Sequence, residues 1–360
     1  MSDTYYFNPE QLCDAVYKLC QGSGSPHEEA DLVAKRLIKS NLTGHPSHGV
    51  MRLAMYMRMI RGDMIKPGAI PELMQDHGST AIINGNRAYG QVAAEKTMRV
   101  AIDRGLTHGI AAVGVTNLAH IGRLADYAIS AARDNCVGLV FTSGGGVGAL
   151  VAPFEGSTRR MDTNPLAMAV PTEREHPIVF DMATSVWAEG KFRVLRASGK
   201  PAPEHTLVDK EGQPTTNPHD FYEGGAILPL GGQQGYKGYL LNFMVEVMAG
   251  LLTGGGCIGA VENPVFNNCT MMIVISVERF RELPQFRIEL EKMITYLKES
   301  PVLEGKEVLY PGELEVRLEE EIRKTGISLP VRTVGRLQEE MDHYGVSVQL
   351  KEIGRPSPFS

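Results

Sequence analysis

The chain has 360 residues, of which 43% are hydrophobic and 22% charged, and carries a formal net charge of -6. This is ordinary for a globular protein that buries one large core or two smaller ones. The acidic balance and the lack of any run of five like charges argue against nucleic acid or an anionic membrane as partner. MSDTYYFNPEQL has no basic segment followed by an apolar one, and no stretch reaches the length of a membrane span. The five cysteines (Cys13, Cys20, Cys136, Cys257, Cys269) lack C-x-x-C spacing, so a cytoplasmic protein with reduced, structural thiols is expected.

In chain order, PEQLCDAVYKLC, HEEADLVAKRLIKSNLTG and VMRLAMYMRMIRG carry apolar residues at helical spacing. Pro67, Gly68 and Pro71 break this helical opening, and STAIINGNRAYG reads as a hairpin around Asn84-Gly85. A helix near Val92 to Arg104, a strand GIAAVGVT, a helix in RLADYAISAARD and a strand CVGLVFTS follow. The last three form a βαβ unit, with parallel strands whose ends at 116 and 143 share one sheet edge.

Further strands are expected at PLAMAVP, PIVFDMA and TMMIVISV, with a helix after Ser185 and a long one through GYLLNFMVEVMAGLLTG. From PQFRIELEKMITYLKES onward the pattern is helical again. The reading is an α/β protein: a mainly helical unit built from residues 1–72 together with 284–360, and a mixed-sheet α/β body over 73–283.

GLVFTSGGGVGALVAP poses the question of a dinucleotide loop, since Gly144, Gly146 and Ala149 match G-x-G-x-x-A after a strand. A Rossmann loop must open a helix, on whose N-terminal amides the pyrophosphate sits. Here Pro153 follows too soon, residues 147 to 154 read as extended, and no acidic residue ends a second strand at the required distance. The fold is therefore expected to be non-Rossmann, with the loop as a ligand-side edge or a surface turn.

GHPSHGVMRLAMY carries more chemistry. Pro46 and Ser47 suit a helix start, with Ser47 as N-cap, His48 in the first turn and Arg52 four residues on along the same face. Arg52 can grip a carboxylate with two parallel hydrogen bonds while His48 exchanges a hydroxyl proton. His120, in NLAHIGRLADY, falls just beyond the strand ending at 116. A capped helix with a surface histidine and arginine is the plainer alternative for the first segment, and a loop residue for the second.

Thr163 and Asn164 precede Pro165 in MDTNPLAMAVP, and Lys237 follows a glycine-rich turn in LGGQQGYKGY, where an ammonium can meet a phosphate. A serine hydrolase built on Ser47-His48 is disfavoured: adjacent helical side chains diverge, and no G-x-S-x-G is present. Neither H-E-x-x-H nor a carboxylate cluster at ligand spacing occurs, so no metal is expected.

GHPSHGVMRL, NLAHIGRLADYA, VAPFEGSTRRMDTNPLA, IVFDMATSVWAEGK, PTTNP, LPLGGQQGYKGY and YPGE, in this order, resemble the malate/L-lactate dehydrogenase family of NAD(P)-dependent oxidoreductases. The resemblance spans almost the whole chain. It implies a non-Rossmann nucleotide site, NAD or NADP as cofactor, and a homodimer whose subunits share the active site. It makes His48 the proton donor or acceptor with Ser47 beside it, Arg52 the carboxylate fork, and His120 a residue of both substrate and nicotinamide. Thr163, and Ser143 at the head of the glycine loop, fall on the substrate side. Arg123, Asp181, Met182, Ala183, Tyr236, Lys237, Gly312 and Glu313 match cofactor contacts.

Three departures from the family pattern stand out: SGGGVGAL replaces a shorter, more polar loop, while Glu155 and Asp162 replace glycines. A glycine site often has positive φ, so Asp162 is expected to disturb its turn. The expected reaction is hydride transfer between nicotinamide and C2 of a small 2-hydroxy or 2-oxo acid. The alternatives are an imine reductase acting on a cyclic 2-carboxylate and a silent ligand-binding protein of the same fold.

Overall fold

The computed structural model describes residues 4–262 and 265–354. The chain opens with β1 (Thr4–Phe7), α1 (Pro9–Gly22), α2 (His27–Leu42) and α3 (Leu53–Arg61), followed by β2 (Glu72–Asp76), β3 (Thr80–Asn84) and α4 (Gly90–His108). The body continues with β4 (Ile110–Thr116), α5 (Ala125–Arg133), β5 (Cys136–Thr142), β6 (Leu166–Val170) and β7 (Ile178–Met182). Next come α6 (Glu189–Ser198), β8 (Leu207–Val208), β9 (Pro214–Thr215), α7 (Pro218–Tyr222), β10 (Ala226–Ile227) and α8 (Tyr236–Glu246). The chain then runs through β11 (Thr270–Ser276), α9 (Leu283–Lys298), α10 (Glu313–Thr325), β12 (Ile327–Pro330), α11 (Val331–His343) and β13 (Glu352–Ile353). Among the described residues no helix is long and apolar enough to cross a membrane.

A seven-stranded mixed sheet, ordered β2-β3-β4-β11-β5-β6-β7, forms the body. β4 and β5 both pair antiparallel with β11, so they run parallel to each other and end at one edge, as the βαβ pattern required. They are not neighbours, however: β11, from much later in the chain, lies between them. Alternation fixes the direction of two strands joined by a helix but not their adjacency.

Side chains alternate across the sheet. Val113, Val115, Val140, Met272 and Val274 point into a core with the buried faces of α4 and α5. On the other face, Gly114 leaves room for Thr253, just beyond the π-turn Val247–Leu251 that prolongs α8.

The two chain ends share a second core. Leu12, Leu19, Leu37 and Leu53 are fully buried there and pack in one cluster with Ile327, Leu329, Leu337 and Met341. Each such burial stabilises by about 1.5–3 kcal/mol. β1 pairs antiparallel with both β12 and β13. These short strands add to the mainly helical unit that was expected, because segments of two to four residues form through pairing across the chain ends and leave no period of their own.

The hairpin expected around Asn84-Gly85 is also replaced. The hairpin partner of β3 is β2, before it, and the turn between them is at Gly78, with φ of 76°. All five β2 residues are exposed, so the segment shows no alternation to read. Asn84 ends β3 with its side chain accepting from Asn86 N–H at 2.9 Å, and Asn86 and Arg87 then take positive φ on the way into α4. The glycine loop opens no helix, in agreement with the rejection of a Rossmann site.

Candidate active site

Ser47, His48 and Arg52 do not sit on one α-helix as their spacing suggested. Two 3-10 turns, Pro46–His48 and Val50–Arg52, meet at extended Gly49, and Ser47 makes no capping bond. The break has a local cause. Asn41 Oδ1 accepts from Val50 N–H at 2.8 Å, and a Cβ on residue 49 would lie 2.0 Å from that oxygen.

The tight turn also brings adjacent side chains together, which a helix would not. Ser47 Oγ lies 3.0 Å from His48 Nδ1, and Arg52 Nε donates to Ser47 O at 2.6 Å. The rest of the Arg52 guanidinium meets only Met55 Sδ, at 3.8 Å, and no described carboxylate is within ion-pair distance of it. A partly buried cation is thus left without an anion.

His120 arrives from the loop after β4 and stacks on His48, with ring centroids 5.4 Å apart and planes at 26°. Its Nδ1 lies 2.9 Å from Tyr56 Oη, and Gln91 Nε2 donates to that oxygen at 2.8 Å. With Gln91 donating, the phenol can donate to Nδ1, an arrangement in which the proton of neutral His120 sits on Nε2. Burial, then the Arg52 charge, pushes His48 down to about 3. Burial, Arg52 and His48 hold His120 well below the ordinary histidine range. Both imidazoles are neutral at pH 7, and an anion bound at Arg52 would relieve part of that depression.

Tyr56 and Gln91 escaped the sequence reading. Tyr56 follows Arg52 at i+4, a spacing that could have marked it, whereas Gln91 reaches the site only through the packing of α4. Asn268 was also missed. Its Oδ1 accepts from Ile121 N–H at 3.2 Å and its Nδ2 donates to Ser143 O at 3.3 Å, so it ties the His120 loop to the glycine loop. Ser143 Oγ accepts from Gly145 N–H at 3.2 Å.

Thr163 borders the same edge. Its carbonyl accepts from the Thr184 hydroxyl at 2.9 Å, and Thr184 O accepts in turn from Leu230 N–H at 2.9 Å. Leu230 O then accepts from Gly238 N–H at 3.1 Å, which anchors the start of α8, where Tyr236 and Lys237 are exposed. Positive φ in this region falls at Glu155 (61°) and Asn164 (34°) and not at Asp162, so Asp162 needs no strained backbone.

Of the remaining residues, Arg123 and Gly312 line a second hollow, and Asp181, Met182, Ala183 and Glu313 do not. Arg123 pairs with Asp126 at 2.6 Å, and the Asp181 carboxylate accepts from Ala125 N–H at the start of α5, at 2.9 Å. Burial raises the Asp181 carboxyl to about 6. Beside them a cavity of about 530 Å³ is lined by Arg36, Arg123, His176, Val179, Gly312 and Arg323, among others. Met182 is exposed and Ala183 partly buried just past β7. The Glu313 carboxylate is turned toward Lys298 and Arg317, at 2.6 Å each, so it holds α9 and α10 together while Gly312 faces the cavity.

Residues 7–338 match the family model described as malate/L-lactate dehydrogenase. The chain is 35% identical over 335 residues to hydroxycarboxylate dehydrogenase B of Escherichia coli, covering 91% of each chain. The chain belongs to the malate/L-lactate dehydrogenase family. Membership places it among the 2-hydroxyacid dehydrogenases. Its fold is similar to that of malate dehydrogenase from Pyrococcus horikoshii (TM-score 0.87, 31% identity, 97% of this chain and 99% of the other). It is also similar to that of sulfolactate dehydrogenase from Methanocaldococcus jannaschii (TM-score 0.86, 28% identity, 95% and 98%).

The residues of this malate/L-lactate dehydrogenase family member fit a dinucleotide. Arg36 Nε is buried without a hydrogen-bond partner on the cavity wall, a donor free for a phosphate oxygen, while the other cations of that wall share it with Asp126, Glu315 and Glu319. A Cβ at position 312 would approach Val179 Cγ1 to 3.0 Å, so glycine there keeps that wall open.

Proposed function

We propose that the protein reduces small 2-oxo acids, and oxidises the matching 2-hydroxy acids, at the centre formed by His48, His120, Ser47 and Arg52. The observation that carries this reading is the unpaired Arg52 guanidinium beside two neutral, stacked imidazoles. Arg52 would hold the C1 carboxylate, His120 would donate from Nε2 to the C2 oxygen, and His48 would exchange its proton.

Ser47 has a part in both directions. Its hydroxyl can donate to His48 Nδ1, leaving a proton on Nε2 to give, or accept from Nδ1, leaving Nε2 free to take one. Thr163 and Ser143 would line the substrate side. A bound NAD or NADP supplies the hydride chemistry. Arg123, Asp181, Met182, Ala183, Gly312 and Glu313 would hold one part of it, and Tyr236 and Lys237 another.

The test is oxidation of NADH and of NADPH at 340 nm with a panel of 2-oxo acids. Turnover is expected, with one nucleotide preferred. Failure of every acid with both nucleotides, alongside normal cofactor binding by calorimetry, would count against the assignment.

A homodimer belongs to the same reading. Leu240, Phe243, Met244, Leu251 and Leu252 present one apolar stripe along α8 and its extension, each more than half exposed, a surface that a second copy would cover. Sedimentation at micromolar concentration should give twice the chain mass, and Phe243→Glu should halve it. A monomeric wild-type chain would refute this part.

A further inference from the structure

Two of the chain's departures from its family pattern touch each other. The glycine loop folds back on itself, with Val147 N–H donating to Gly144 O at 3.4 Å, and the Asp162 carboxylate sits inside the fold. A Cβ at position 144 would come within 2.7 Å of Asp162 Oδ2, and one at 148 within 3.0 Å. The aspartate occupies the space that side chains at both positions would need.

Asp162 is held firmly. Oδ1 accepts from Thr163 N–H at 2.7 Å, and the Asp162 carbonyl accepts from Asn242 Nδ2 at 2.7 Å. No described cation lies within ion-pair distance of the carboxylate: burial raises it to about 7 and Glu246 pushes the same way, while the Thr163 amide and hydroxyl oppose them. The wall next to Thr163, joined to the His120 loop through Ser143 and Asn268, is therefore locally acidic and otherwise built of glycine.

We infer that Asp162 is a specificity-determining residue, which selects 2-oxo and 2-hydroxy monocarboxylates with an uncharged or cationic tail and disfavours acids with a second anionic group. The inference rests on the assignment of Arg52 and the two histidines above. With C1 on Arg52 and C2 at the histidines, the substituent at C3 is the part of the substrate left to meet this wall. A carboxylate or sulfonate there would meet the Asp162 charge with no counter-charge beside it.

The test compares 2-oxobutanoate with oxaloacetate at pH 8.5, above the raised Asp162 value, in the wild type, Asp162→Asn and Asp162→Gly. Wild type should favour the monocarboxylate, and D162N should raise the relative kcat/KM of oxaloacetate by about 10- to 100-fold, chiefly through KM. Asparagine keeps the volume that packs the loop, so a purely structural role would leave that ratio unmoved, and an unmoved ratio overturns the proposal. A shift in D162G alone would also overturn it, since volume and not charge would then be the cause. Failure of the wild type on both acids would instead strike at the Arg52 and histidine assignment, a result separable from loss of discrimination.

Discussion

Replacing His48 with alanine is expected to lower turnover by about 10²- to 10⁴-fold while leaving cofactor affinity nearly unchanged, because a positioned proton-transfer group contributes that much. The pH dependence should identify the group. Burial and the neighbouring Arg52 hold His48 down to about 3 in the free protein, so the neutral base persists well into acid and kcat/KM for hydroxy-acid oxidation should fall only as pH approaches that value. A substrate carboxylate on Arg52 cancels the cationic repulsion and stabilises imidazolium, which moves the acid limb of kcat to higher pH than that of kcat/KM. Because His48 and His120 stack, the limbs belong to the pair. Steady-state rates from about pH 3 to 9 decide the matter: normal turnover in H48A, or an acid limb unchanged by the substitution, sinks the role.

Arg52→Lys should raise KM for monocarboxylates by about 10- to 100-fold and change kcat much less. Its Nε is already committed to Ser47 O at 2.6 Å, so the two terminal nitrogens are the ones left for a planar bidentate contact. Lysine offers a point charge without the fork, and it also releases the Ser47 carbonyl. Loss of one charge-assisted hydrogen bond, about 1.5–3 kcal/mol, corresponds to the stated range. Arg52→Ala, which removes the charge altogether, should be worse still. An unchanged KM in R52K would move the carboxylate site elsewhere.

Much of the fold was open to reading from one chain. The helical spacing of α1 to α3, the βαβ alternation from β4 to β5 and the apolar runs of β6, β7 and β11 all emerged, because each follows from which face of an element is buried. What failed were segments without a period of their own: β2, exposed at every residue, and the short terminal strands that exist only by pairing with each other. The Ser47 to Arg52 segment misled for a different reason. Its i to i+4 spacing was helical, but the Asn41 side chain intrudes at Gly49 and breaks the helix.

The sequence by itself determined the longer helices and the buried strands, the non-Rossmann character of the glycine loop and the residue types that the proposed carboxylate and proton-transfer centre requires. Tertiary structure alone decided the neighbours. It inserted β11 between β4 and β5, stacked His120 on His48, backed His120 with Tyr56 and Gln91, and closed the glycine loop around Asp162. The physical reason is the same in each case. Periodicity records that a side chain turns inward, whereas the partner it meets there is set by packing among segments far apart in the chain, and no local pattern encodes it.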